Sequence, residues 1–240
     1  DVSSSMLAQD IKPNRLERAK YKIMDLLNML EGDRVGLVAF AGTSYLQCPL
    51  TLDYSATRIF LNAIDTELIP VPGTAIGHAI RTSVKAFNTQ DTRSRAIILI
   101  TDGEDHTGDA IQSANWAKEH KTKIFAIGIG NNIGAPIPDP KPGASGFKKD
   151  KDGEVILTKL DEPTLKQMAL QTGGSYVRSV SGDMDLQKLY RENIKHKVKS
   201  KEIKTERKRV WKERFQWMIF AALLCLTAKY VRKTSFLEKG

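Results

Sequence analysis

Three short apolar runs, at residues 35–40, 96–101 and 123–129, alternate with stretches of helical periodicity, and this alternation restricts the fold more than any other property of the chain. A run of six or seven residues without polar alternation suits a strand buried on both faces. Between the runs, residues 15–30 carry Leu16, Ala19, Ile23, Leu26, Leu27 and Leu30 at helical spacing. Asp53 reads as the N-cap of a helix reaching about Glu67, Thr74 opens another over 76–87, and a further helix covers 109–120. Strand and helix in alternation imply βαβ units, so the predicted fold is α/β, a doubly wound, mostly parallel sheet of six strands covered by helices. Residues 44–50 form an edge strand against the first run, and the Pro- and Gly-rich stretch 131–146 is a loop. Lys151-Asp152-Gly153 turns a hairpin between 147–149 and 155–158. A helix over 162–172 stops at Gly173-Gly174, before a last strand at 175–178.

The net charge of +9 is not spread evenly. Residues 191–240 hold 15 Lys/Arg against 5 Asp/Glu, and residues 1–190 hold 22 against 23. The basic balance therefore belongs to the C-terminal region and does not point to nucleic acid as a partner. Residues 185–214 read as a basic juxtamembrane helix or linker, 215–231 as a transmembrane helix, and 232–240 as a short basic tail. The 17 residues from 215 to 231 meet the lower limit for a spanning helix, roughly 17–25. Trp217 and Tyr230 suit the interfaces, and Lys229 can extend its amine to water. A surface or core helix is the alternative, disfavoured because Met218 to Leu226 is apolar on every side. Counting flanking positive charges alone places the globular part in the cytoplasm. Cys48 and Cys225 make neither a disulfide framework nor a zinc spacing.

Five oxygen-bearing residues fall at predicted strand ends. Asp1, Ser3 and Ser5 form Asp-x-Ser-x-Ser; Thr74 lies in Pro72-Gly73-Thr74; Asp102 follows the second apolar run. In open α/β sheets, ligands bind beyond the carboxyl ends of the strands. Hydroxyls and carboxylates are hard donors that suit Mg²⁺, with Mn²⁺ or Ca²⁺ possible, and do not suit zinc or copper. Each residue also has a plainer reading: Ser3, Ser5 and Thr74 as helix caps, Asp102 as a turn residue. Asp105-His106 reads as an exposed loop pair, His78 as a helix-face residue, His120 as a partner of a helix C-terminus, and His196 as part of a solvated basic helix. The stretch 191–214 either binds acidic lipid or keeps a helix solvated. No Gly-rich phosphate loop with Lys-Ser/Thr and no Gly-x-Ser-x-Gly elbow occurs, and Ser5 has no evident base.

These five residues, in this order, resemble the metal-ion-dependent adhesion site of von Willebrand factor A domains. The chain is similar in particular to the membrane-anchored bacterial aerotolerance (Bat) proteins. The likeness runs through Arg15-Leu16-Glu17-Arg18-Ala19-Lys20, Gly32-Asp33-Arg34-Val35-Gly36-Leu37, Pro49-Leu50-Thr51-Leu52-Asp53-Tyr54, Gly73-Thr74-Ala75-Ile76-Gly77, Thr101-Asp102-Gly103-Glu104-Asp105 and Lys212-Glu213-Arg214-Phe215-Gln216-Trp217. It implies a domain at 1–184 in which Ser3, Ser5 and Thr74 ligate metal directly while Asp1 and Asp102 act through water. It also implies a non-enzymatic module that grips a carboxylate on a protein partner, alongside other Bat-type membrane proteins and a MoxR-type ATPase. The domain would lie outside a bacterial inner membrane, on the periplasmic side, against the local charge count. Metal-dependent hydrolase or phosphotransferase, and a membrane scaffold with a purely stabilising metal, are the alternatives. The resemblance further implies a central strand and spanning helices ahead of Asp1. With no such strand in this sequence, the expectation is a distorted or poorly folded region around Asp1.

Overall fold

The computed structural model describes residues 1–87, 94–139 and 146–179. The expected basic helix at 185–214, the span at 215–231 and the tail at 232–240 lie outside the described residues. Among the described residues no helix is long and apolar enough to cross a membrane. In chain order the elements are α1 (Arg15–Met29), β1 (Val35–Phe40), β2 (Ser44–Thr51), α2 (Tyr54–Asn62), α3 (Ile76–Ala86), β3 (Arg95–Thr101), α4 (Ala110–Glu119), β4 (Thr122–Gly128), β5 (Ala135–Pro136), β6 (Leu157–Thr158), α5 (Glu162–Gln171) and β7 (Ser175–Arg178). A 3-10 turn, Ser4–Leu7, precedes α1.

The parallel sheet runs β3-β4-β7, with Ile98 opposite Phe125 and Ile127 opposite Val177. Its side chains alternate between two cores. Ile100, Phe125, Ile127 and Ile129 point into one, shared with Leu16, Ala19 and Leu26 of α1 and Leu61 of α2. Ile97, Leu99, Ile124 and Ala126 point into the other, against Ile80 and Val84 of α3, Ala114 of α4, and Leu165 and Met168 of α5. This is the doubly wound arrangement that the all-apolar runs predict. Each fully buried Ile, Leu or Phe stabilises it by about 1.5–3 kcal/mol.

The expected single sheet of six strands is not seen. β1 and β2 form a separate antiparallel pair, and among the described residues no strand lies between β1 and β3. Residues 1 and 2 bridge the two sets at their carboxyl ends: the Asp1 nitrogen donates to Ile100 O at 3.3 Å and Val2 N to Phe40 O at 2.8 Å. Asp1 is held at this junction by those bonds, and the sheet is divided where the sequence lacks a strand. The expectation that β1 is buried on both faces holds only for Ala39 and Phe40; Val35 to Val38 are half-buried, because only the end of β1 reaches both cores.

Two helices show how local chemistry sets boundaries. Asn14 Oδ1 accepts from Glu17 N at 2.8 Å and starts α1. Asn14→Ala should therefore cost about 1 kcal/mol, seen as a lower urea midpoint with an unchanged m-value, whereas Asn14→Asp should be close to neutral. Asp53 caps α2 as expected, through Ala56 N at 3.0 Å, but the helix stops at Asn62 rather than near Glu67. Ile64 and Ile69 are both buried in the α1-side core, and one continuous helix cannot deliver both there. Asp65 Oδ1 accepts from Glu67 N at 2.9 Å and fixes the turn that does.

Residues 135–139 and 146–158 carry a small β excursion, which keeps the predicted hairpin and adds a short strand within the stretch expected to be loop. Ile137, Lys148 and Ile156 bond in a ring: Ile137 N to Ile156 O, Lys148 N to Ile137 O, and Ile156 N to Lys148 O. Lys149 opposite Val155 closes the predicted hairpin turn. Thr158, at the end of β6, is fully buried and reaches the carboxyl edge of the parallel sheet.

Candidate metal centre

All five predicted residues lie at the carboxyl edge of the strands, and a chain of direct contacts links their segments. Ser3 turns its hydroxyl to that of Ser5, Oγ to Oγ at 2.9 Å, and both side chains are buried. Asp1 Oδ1 accepts from Ser3 N at 2.9 Å, and Asp1 Oδ2 accepts from the hydroxyl of Thr101. The same hydroxyl accepts from Gly103 N at 3.1 Å, so Asp1 is fixed against the turn that carries Asp102. That loop continues to His106, whose N–H donates to Thr74 O at 3.0 Å. Thr74 is itself held because Ala75 N donates to Ala41 O at 2.7 Å.

The plainer readings fare differently. Ser3 occupies the N-cap position of the 3-10 turn, yet its side chain makes no capping bond. Thr74 precedes the N-cap of α3, which is Ala75, and no side chain caps that helix. Asp102 is indeed a turn residue, with Oδ1 accepting from Glu104 N at 3.2 Å, but that accounts for only one of its oxygens. Asp105 fastens the start of α4, since its carboxylate accepts from Ala110 N at 3.1 Å and from the Thr107 hydroxyl at 2.8 Å. His106 is exposed. His78 Nδ1 accepts from Ser44 N, and His120 Nδ1 bonds Trp116 O at the C-terminus of α4.

What the sequence reading missed is Arg15. It is fully buried at the first position of α1, and it forms a salt bridge with Asp102 at 3.0 Å, also fully buried. Asp10 grips the other side of the guanidinium in two-toothed fashion, Nε to Oδ1 and Nη2 to Oδ2, each at 2.9 Å. Burial pushes the Asp10 carboxyl upward, but the hydrogen bonds and charge of Arg15 outweigh it and hold the group below the ordinary carboxylate range. Gly130 makes room for the guanidinium: a Cβ there would come within 2.9 Å of Cζ and Nη2. Removing one member of such a buried pair strands a charge and costs about 3–5 kcal/mol. A sequence signal existed. Arg15, Ala19, Lys22 and Leu26 share the buried stripe of α1, so two cations sit on an otherwise apolar face.

The donors suit a hard cation. Two ligands at right angles, each 2.0–2.1 Å from Mg²⁺, stand about 2.9 Å apart, which is the separation of the Ser3 and Ser5 hydroxyls. Among the described residues no three His, Cys, Asp or Glu side chains gather at one point. A cation here would therefore depend on hydroxyls, with at most two carboxylates.

Comparison with known proteins agrees with this architecture. Residues 1–104 match the profile of the von Willebrand factor type A domain. A conserved hypothetical protein of Bacteroides thetaiotaomicron, BatB, is 40% identical and superposes with a TM-score of 0.78 over 83% of this chain and 96% of that one. An aerotolerance-related membrane protein of Bacteroides fragilis is 39% identical, with a TM-score of 0.76 over 80% of this chain and 94% of its own. A UPF0353 protein of Mycolicibacterium paratuberculosis is 32% identical over 198 residues, which is 79% of this chain and 57% of that protein. The chain spans 57% of that mycobacterial protein and between 52% and 65% of the length of other curated relatives. With this identity across nearly the whole of the BatB structure, and the strand order and edge just described, the chain belongs to the von Willebrand factor type A family, in its Bat-like branch.

Proposed function

We propose that this chain is a non-enzymatic, membrane-anchored interaction module that binds an acidic side chain of a protein partner through a divalent cation, Mg²⁺ by preference and Mn²⁺ or Ca²⁺ as substitutes. Ser3, Ser5 and Thr74 are its direct ligands, and Asp1 and Asp102 stand behind them through water. The observation that carries this reading is the buried Ser3–Ser5 hydroxyl pair at 2.9 Å, flanked by carboxylates already engaged by the protein. Hydroxyl ligands are neutral, so a dication held mainly by them keeps most of its charge and attracts an anionic sixth ligand. The cation supplies that attraction; the protein's own groups orient it and leave one side for the partner.

The anchor is the apolar segment 215–231, and the basic stretch before it stays solvated beside the membrane. The relative named aerotolerance-related membrane protein supports association with a membrane; the bacterial inner membrane, with the domain on the periplasmic side, is the placement this reading adds. The partners in this reading are other Bat-type membrane proteins, in keeping with the Bat-like relatives, and, as a further part of the proposal, a MoxR-type ATPase system in an envelope complex concerned with aerotolerance.

The test is a crosslinking pull-down of the full-length protein with and without chelator. Capture of protein partners should vanish with chelator and return with Mg²⁺. Capture that ignores chelator while thermal stability drops would leave the metal as a staple. Phosphoester turnover by the full-length protein, lost in Asp1→Ala, would make it an enzyme instead.

A further inference from the structure

All five N–H groups of Arg15 have a partner, as a guanidinium with no exposed surface requires. Nε and one Nη2 proton serve Asp10; Nη1 donates to Asp102 Oδ2 at 3.0 Å and to Thr158 Oγ1 at 2.9 Å; Nη2 also reaches Thr158 O at 3.4 Å. Thr158 passes the contact on, since its hydroxyl donates to Asp102 Oδ2 at 3.3 Å. Asp102 Oδ2 thus accepts two bonds from the protein side, while Oδ1 accepts one, from Glu104 N. One guanidinium is shared between two carboxylates, and only one of those belongs to the candidate cation site.

We propose that Arg15 is a positioning residue that sets the strength of the cation site: it holds Asp102 Oδ2 and cancels part of its charge, and Asp10 controls how much of that cancellation Asp102 receives. This inference rests on the metal-dependent reading above. It differs from a merely structural role in the sign of its effects. If Arg15 only braced the loop, every change in the network would weaken cation binding. If it acts as a countercharge, removing its charge frees Asp102 and tightens binding. Removing the charge of Asp10 gives the guanidinium wholly to Asp102 and loosens binding.

The experiment is a titration of the full chain with Mn²⁺ as the probe, free Mn²⁺ being read by electron paramagnetic resonance, with thermal unfolding of the metal-free protein measured alongside. Changes behind metal ligands move affinity about 10–100-fold. Arg15→Gln is expected to lower the Mn²⁺ Kd roughly tenfold, and Asp10→Asn to raise it roughly tenfold. Arg15→Lys keeps the charge and should stay within about threefold of wild type, although it cannot reproduce the fork. Thr158→Val, nearly the same shape, removes one donor from Asp102 and should lower the Kd about two- to threefold. If Arg15→Gln does not fold, Thr158→Val decides by itself. Binding that is unchanged or weaker in Arg15→Gln and Thr158→Val overturns the inference and leaves the function above standing. A wild-type chain that takes up no Mn²⁺ overturns both.

Discussion

Thr74→Ala is expected to weaken Mg²⁺ binding by at least the 10–100-fold that outer-shell changes produce, and to abolish chelator-sensitive capture of partners, with the fold intact. Thr74 is 2% exposed, and its hydroxyl caps no helix. Its ties to the neighbouring loops are made by the backbone: its carbonyl accepts from His106 N, and the next residue's N–H donates to Ala41 O. Alanine keeps every one of those bonds. What is lost is one hydroxyl and one methyl, a change of about 1 kcal/mol in stability. Function and stability are therefore expected to separate by a wide margin, and Thr74→Ser should restore binding. Isothermal titration with Mg²⁺ checks the first part and a thermal melt the second. Equal Mg²⁺ affinity in Thr74→Ala and wild type would reduce Thr74 to a packing residue and remove a ligand from the proposed set.

Most of the scaffold around this residue was legible because it rests on local signals. The runs that became β1, β3 and β4 are apolar without interruption, and the structure buries the last two on both faces. Asp53 and Gly173 mark helix ends by their own chemistry, the first through its side chain and the second through a φ of 74°. The misreadings arise where tertiary demands override the local pattern. Residues 63–69 continue an apolar periodicity, yet the chain turns there because Ile64 and Ile69 enter the core from a loop. The strand at 135–136 falls in the stretch that reads as loop because two residues carry no periodicity; the order beside the predicted hairpin comes from backbone bonds among Ile137, Lys148 and Ile156.

The candidate site divides in the same way. Oxygen donors at strand ends can be picked out one at a time, since each sits next to a recognisable boundary. Arg15 cannot, because its meaning lies in partners 87 and 143 residues away, Asp102 and Thr158. A periodicity argument assigns a position at the start of a helix to solvent by default. The opposite outcome follows from cost: a guanidinium enters a core only when its charge and donors are matched, and Asp10, Asp102 and Thr158 together match them. A cation on the buried stripe of an amphipathic helix, a few residues after a carboxylate such as Asp10, is thus a usable sign of an internal countercharge.

Gly42→Ala should damage the same edge from outside it, and with a larger effect on stability than Thr74→Ala. Gly42 follows β1, and its N–H donates to Val71 O at 3.1 Å. A methyl at this position would overlap the Pro72 carbonyl oxygen and lie 2.7 Å from Val71 Cγ1 and 2.8 Å from Val71 O. Two of those obstacles are backbone atoms, and Pro72 restricts how the backbone yields. Segment 71–75 must therefore move away from segment 41–43, carrying Thr74 with it. Overpacking of this kind costs about 1–3 kcal/mol, and a functional group needs to be held to within about 0.5 Å. The expected result is a Tm lower by about 2–10 °C together with Mg²⁺ affinity weakened about tenfold or more. Gly153→Ala is the control. Gly153 has a φ of +83° in the hairpin turn with open space around it, so alanine there strains the backbone and touches nothing. Its cost should be on the order of 1 kcal/mol, with Mg²⁺ binding unchanged. If Gly42→Ala melts early but binds Mg²⁺ like wild type, Thr74 does not owe its position to the contact between these two segments.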